Sequence, residues 1–137
     1  MIELQVGVKV LLKNPEGKYL LIRVSADKYP ETGPKWDIVG GRIDPGSPLI
    51  DNLKREIKEE VNLDLTTEPK LIGAQDILRV PGRHVVRLTY VANIEGEPKL
   101  SEEHTEYKWF GLDEMKKLSE QELDRYFKEF LDKGEFD

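Results

Sequence analysis

Apolar residues recur at helical intervals in the middle of this chain. Ile50, Leu53, Ile57 and Val61 follow one another at steps of three and four, a spacing that gathers side chains into one stripe facing a core. Glu56, Glu59 and Glu60 project together from another side of the same helix, because residues three and four apart share a face. Ahead of it, Leu4 to Leu12 and Tyr19 to Val24 read as strands joined by the hairpin turn Asn14-Pro15-Glu16-Gly17. Tyr29 to Pro34 reads as a loop. Trp36 to Val39 is a short strand that delivers Gly40 and Gly41 to the helix. Further strands are predicted over Leu71 to Leu78, Val85 to Ile94 and Tyr107 to Phe110. At the end of the chain, Asp113 would cap a short helix through Leu118. Ser119-Glu120-Gln121-Glu122 reads as a capping box, with Leu118 and Leu123 as a staple. Leu123, Tyr126, Phe127, Phe130 and Leu131 then keep helical spacing up to Gly134, a core-facing stripe over one face of the sheet. Strands first, a helix in the middle, more strands and a terminal helix predict a mixed α/β arrangement with helices on both sides of the sheet.

Composition narrows this to one soluble domain spanning residues 1–137. Hydrophobic residues make up 38% and charged residues 35%, proportions of a globular rather than a disordered chain. Met1-Ile2-Glu3-Leu4 has neither a basic leader nor a long apolar run, so we expect no secretory signal, no membrane span and a cytoplasmic location. The absence of cysteine excludes disulfides, thiolate zinc sites and a cysteine nucleophile. A net charge of −6 argues against general nucleic-acid binding, which needs a basic stripe. It would also repel a phosphorylated substrate. Bound cations and a local set drawn from Arg23, Arg42, Arg79, Arg83 and Arg87 would then have to supply the attraction.

The carboxylates on the central helix are where chemistry enters. Charge runs on helices are usually solvated faces, and Arg55 with Glu59 or Asp51 with Arg55 would make ordinary pairs worth a few tenths of a kcal/mol. Glu56 and Glu60, however, are like charges one turn apart, which costs free energy unless a cation lies between them. Mg²⁺ takes hard oxygen ligands and commonly bridges carboxylates to substrate phosphates. Gly40, Gly41 and Gly46 add a backbone that a ligand can approach closely.

Gly41 followed by Arg55-Glu56-Ile57-Lys58-Glu59-Glu60-Val61-Asn62-Leu63 resembles the Nudix box, Gly-x5-Glu-x7-Arg-Glu-U-x-Glu-Glu-x-Gly-U with U aliphatic. Spacing is kept throughout and two positions depart. Ser47 stands where the family has its first glutamate, and Asn62 where it has the second glycine. Ser47 suits a helix N-cap with Pro48 at the first helical position. Asn62 suits the left-handed conformation that closes a helix. In the family the first glutamate supports the site by pairing with the box arginine, so its loss leaves Arg55 less restrained.

The resemblance covers nearly the whole chain and implies the Nudix α/β/α sandwich, with a mixed sheet between helices. It implies a pyrophosphohydrolase that cleaves a phosphoanhydride of a nucleoside diphosphate linked to another moiety, using Mg²⁺ or Mn²⁺. By resemblance, Glu56, Glu59, Glu60 and the carbonyl of Gly40 are the metal ligands, and Arg55 holds the carboxylates in place. One of these glutamates, or Glu103 in a later loop, acts as general base; Glu102 and Glu106 are its neighbours, and His104 and His84 read more readily as loop or surface residues. Arg23, Trp36, Gly41 and Arg87 are the candidate substrate contacts, with Tyr29 and Tyr90 as further aromatic platforms for a base and burial beside the sheet as the equal alternative for Trp36. No additional amino-terminal domain is seen, which tilts the substrate towards a nucleoside triphosphate or compact dinucleotide, with nucleotide sugars next. A second copy of the chain is an admissible partner. The alternative class is a nucleotide sensor that keeps the fold without turnover.

Overall fold

A computed structural model describes residues 1–24, 35–102 and 104–134. The strands are β1 (Glu3–Lys13), β2 (Tyr19–Val24), β3 (Trp36–Asp37), β4 (Val39–Arg42), β5 (Lys70–Ile77), β6 (Arg83–Asn93) and β7 (His104–Phe110), and the helices α1 (Leu49–Val61), α2 (Leu112–Lys116) and α3 (Arg125–Lys133). Five strands run in the order β3-β2-β1-β6-β5, with β4 also paired to β1 and β7 to β2. The β1–β6 pair is parallel and the others antiparallel, so the sheet is mixed.

Alternation along β1 and β2 builds two cores. Val8, Val10, Leu12, Leu20 and Ile22 pack with Leu53, Ile57 and Val61 of α1. Leu11, Tyr19 and Leu21 point the other way, towards Met115 of α2 and Phe127, Phe130 and Leu131 of α3. This is the two-residue period of a strand buried on both faces, and it yields the expected helix–sheet–helix layering. Phe130 lies so close to β5 that a Cβ on Gly73 would come within 2.4 Å of its ring. That close approach explains a glycine inside a strand.

Several local expectations shift. The helix expected to be capped by Ser47 begins at Leu49, with Pro48 in the cap position and no side-chain cap bond. Asn62 closes it in the left-handed conformation at φ 55°. The single strand expected over Trp36 to Val39 splits at Ile38, whose N–H donates to the Asp37 carboxylate at 2.7 Å. β7 starts at His104, three residues early, and takes in Glu106. Gly111 rather than Asp113 precedes α2. The Ser119 box closes a turn instead of starting a helix: Ser119 N donates to Glu122 Oε1 at 3.0 Å, and Glu122 and Leu123 donate back to Ser119 O. α3 begins six residues after Ser119, at Arg125, where Asp124 accepts from Phe127 N at 3.0 Å. A bridge from Leu123 to Trp36 holds the intervening segment to β3.

Candidate active site

β4 lays two glycines alongside β1, with Gly40 opposite Lys9 and Gly41 opposite Val8. Gly40 has φ +142°, and a Cβ there would fall 2.1 Å from Val8 O, so only glycine fits. At Gly41 the obstruction is the site itself, because a Cβ would lie 2.8 Å from the Glu56 carboxylate. α1 is thereby pressed onto bare backbone. Gly40 N donates to Glu60 Oε2 at 3.1 Å.

Glu56 and Glu60 both line a cleft of about 770 Å³ bounded also by Gly40, Gly41 and Arg42. Burial pushes the Glu60 carboxyl up to about 8, against the pull of Lys9 and the Gly40 N–H. Burial also raises Glu56, opposed by Arg55. Glu59 stands apart: its side chain is 58% exposed and it pairs with Arg55 at 3.3 Å. Among the described residues no three His, Cys, Asp or Glu side chains converge closely enough to hold a metal ion, so the expected three-carboxylate cluster is here a half-buried pair with a third carboxylate turned to solvent. Two adjacent half-buried carboxylates with a neighbouring backbone carbonyl nevertheless form a hard-oxygen donor set that suits a divalent cation. Its charge would oppose the desolvation that now favours the proton on Glu60.

Arg55 bonds Glu56 at 3.1 Å and is held from behind. Its Nη2 donates to Asn52 Oδ1 at 3.1 Å and to Arg42 O at 3.4 Å, and Asp44 lies 3.6 Å away. Sequence reasoning overlooked Asn52. Its signal was a lone amide placed three residues before Arg55 and four before Glu56, on their face of the helix.

The other end of the cleft is a buried charge network. Lys9 Nζ donates to Asp37 at 3.1 Å, to Ile38 O at 3.2 Å and to Gly40 O at 3.5 Å. Arg87, 5% exposed, bonds Asp124 at 3.0 Å and Asp37 at 3.4 Å, while its Nε is buried with no partner among the described residues. Burial disfavours the Asp37 anion, but Lys9 and Arg87 outweigh it and hold the carboxyl below its usual range. Asp124 moves the opposite way, raised by burial and by Asp37 against the pull of Arg87.

The candidate substrate contacts divide. Gly41 and Arg87 line the cleft. Arg23 and Trp36 are not among its lining residues. Trp36 is a core residue, 6% exposed and edge-on to Phe110 at 5.3 Å. Arg23 covers its ring at 4.4 Å and pairs with Glu106 at 2.7 Å, so Glu106 has a structural partner. Tyr90 is buried too. Tyr126, read as part of the core stripe, instead lines the cleft with Ile77, Arg79 and Val85. His104 also lines it, its Nδ1 3.2 Å from Ser101 Oγ. Glu103 and Tyr29 fall outside the described residues.

The NUDIX domain model matches residues 3–131. A bis(5'-nucleosyl)-tetraphosphatase [asymmetrical] of Rattus norvegicus is 30% identical over 108 residues, 75% of this chain and 70% of the relative. A nucleoside triphosphatase, NudI, of Escherichia coli O17:K52:H18 is 31% identical over 109 residues, 72% of this chain and 76% of the relative. Among solved structures, a MutT protein from Methanosarcina mazei Go1 superposes with TM-score 0.82 at 27% identity, covering 96% of this chain and 93% of that one. A MutT NUDIX hydrolase from Burkholderia pseudomallei gives TM-score 0.76 at 30% identity, covering 95% and 97%.

Proposed function

The chain belongs to the Nudix family of hydrolases, and we propose that it cleaves a phosphoanhydride bond in a nucleoside diphosphate linked to a further phosphate or nucleotide, with Mg²⁺ or Mn²⁺ as cofactor. The observation that carries this reading is the pair Glu56 and Glu60, laid on the bare backbone of Gly40 and Gly41 at the wall of an open cleft. Glu56, Glu60 and the Gly40 carbonyl would hold the cation, with Glu59 as the carboxylate on the solvent side. When bound, such a cation supplies charge neutralisation for phosphate oxygens and a more acidic water.

The chain's own residues do the rest. The Gly40 N–H fixes Glu60 Oε2. Arg55 Nη1 donates to both Glu56 and Glu59 and bridges the two. Arg42 and Arg79 line the cleft and provide local positive charge against the net −6 of the chain. Arg87 adds little net attraction for phosphate, because Asp37 and Asp124 neutralise it. Its end of the cleft suits the uncharged part of the substrate, with Tyr126, Ile77 and Val85 as apolar surface. The printed activities of the rat and Escherichia coli relatives favour dinucleoside polyphosphates and nucleoside triphosphates as the first substrates to test.

The test is product identification across nucleoside triphosphates, dinucleoside polyphosphates, ADP-ribose and nucleotide sugars, with Mg²⁺ or Mn²⁺. We expect one class to yield a nucleotide and a phosphate-bearing product only when the cation is present. Turnover that persists in full with chelator would remove the cation from the account.

A further inference from the structure

We infer that Asn52 is a positioning residue of this site: it anchors Arg55, in the role that the box pattern gives to a glutamate where this chain has Ser47, and through Arg55 it sets the placement of Glu56 and Glu59. The inference rests on the reading of those carboxylates as cation ligands given above. Asn52 is 1% exposed on the first turns of α1. A buried amide is costly unless all of its hydrogen-bonding capacity is used, and here it is. Oδ1 accepts from Asp44 N at 3.0 Å and from Arg55 Nη2 at 3.1 Å. Nδ2 donates to Ser47 O at 3.0 Å and to Pro48 O at 2.7 Å. Ser47 thus takes part through its backbone carbonyl, and the side chain that meets the guanidinium comes from one turn further along the helix.

The arrangement differs from a helix cap, because the helix has no side-chain cap bond and Asn52 reaches back to the carbonyl of the residue four before it. It ties the Asp44–Pro48 loop to the guanidinium in one step. With Nη2 held by Asn52 and Arg42 O, Nη1 is directed at Glu56 at 3.1 Å and Glu59 at 3.3 Å. Asp44, at 3.6 Å and largely exposed, supplies charge but little restraint. Without Asn52 the guanidinium would keep only the long contact to Arg42 O and the exposed Asp44 behind it, and the spacing of the two carboxylates would depend on which glutamate it followed.

The experiment is a double-mutant cycle on the full chain with Asn52→Ala and Arg55→Ala, read out as Mn²⁺ affinity by electron paramagnetic resonance and as unfolding in denaturant. Each single change should weaken Mn²⁺ binding about tenfold, the range found when groups behind metal ligands are removed, and the double change should be no worse than the poorer single one. Ser47→Glu introduced into the Asn52→Ala chain should restore most of the affinity. Asn52→Asp keeps the oxygen that accepts from Arg55 Nη2 and Asp44 N but sets a carboxylate oxygen against Ser47 O and Pro48 O, so it should lose stability in denaturant while binding Mn²⁺ more tightly than Arg55→Ala does. It also carries the test if Asn52→Ala does not fold. Additive losses, no recovery with Ser47→Glu, or an Asn52→Asp chain as impaired as Arg55→Ala would each overturn the inference. A wild-type chain that binds no Mn²⁺ would instead sink the cation reading. In that event the Asn52–Arg55 coupling in denaturant decides this inference, which fails if no coupling is found.

Discussion

At the scale of single residues, the site is governed by what burial does to a carboxylate. Glu60 has a carboxyl pushed from 4.5 to about 8, so the fold favours its protonated form. In chelator-treated protein this contribution to stability is fully present below about pH 4.5 and is lost as the pH rises through about 8. We therefore predict that Glu60→Gln stabilises the cation-free protein at pH 8 by up to about 4 kcal/mol and leaves it nearly unchanged at pH 4.5. Denaturant unfolding at the two pH values checks this, and equal effects at both would contradict it. The two glycines beneath the glutamates should respond differently. A Cβ on Gly41 meets the mobile end of Glu56, whereas one on Gly40 meets the Val8 carbonyl at a positive φ. Gly41→Ala should displace the carboxylate and reduce turnover at a stability cost below about 1 kcal/mol, while Gly40→Ala should cost about 3 kcal/mol. Thermal unfolding beside turnover separates the two. The shared face of Glu56, Glu59 and Glu60 was legible from helical spacing, and the places of Arg55 and Gly40 from the family resemblance. Asn52 was not, because a polar residue in an exposed-looking register gives no sign of burial until loop 44–48 folds over it.

At the scale of elements, sequence periodicity placed most strands and helices to within a few residues, but it merged β3 with β4 and started α3 six residues early. The Ser119 box had the right residues for a helix start, and tertiary context overrode it: Leu123 bridges to Trp36, and Asp124 is drawn in by Arg87. α3 consequently starts where its cap also serves the charge network. Asp124→Ala removes a cap worth about 1 kcal/mol and leaves the buried Arg87 guanidinium with Asp37 alone. The sum should reach about 3 kcal/mol or more, measured by denaturant unfolding. A loss confined to the cap value would show that Arg87 is insensitive to its second carboxylate. Phe130→Ala, at the contact between α3 and Gly73, should cost about 3–5 kcal/mol by the usual cavity argument. The aromatic stripe misled on one residue only: Tyr126 shares the helical spacing of the core positions yet lines the cleft, since a 3.6-residue period leaves the stripe's edge undetermined.

At the scale of the whole molecule, the sheet does the assembling. Parallel pairing of β1 with β6 brings Lys9 beside Thr89, two residues from Arg87, and antiparallel pairing with β4 brings Lys9 beside Gly40, so one strand joins both ends of the cleft. Those contacts span 80 and 31 residues of chain and left no local trace, which is why Arg87 could be nominated as a cation but not as a neutralised one. The same long-range packing places Trp36 in the core, the buried reading that stood beside the base platform for this residue. A net charge of −6 works against polyphosphate binding unless local positive charge offsets it, and the central claim of the proposal is that turnover requires a divalent cation held by the carboxylates of α1. The most direct test is the rate of phosphoanhydride hydrolysis by wild type, Glu56→Gln and Glu60→Gln, each with Mg²⁺ and with chelator. The account predicts Mg²⁺-dependent turnover in wild type, and a fall of at least about 100-fold in both variants, on the scale of losing a transition-state interaction. Wild-type rates in Glu60→Gln, or turnover indifferent to chelator, would contradict it.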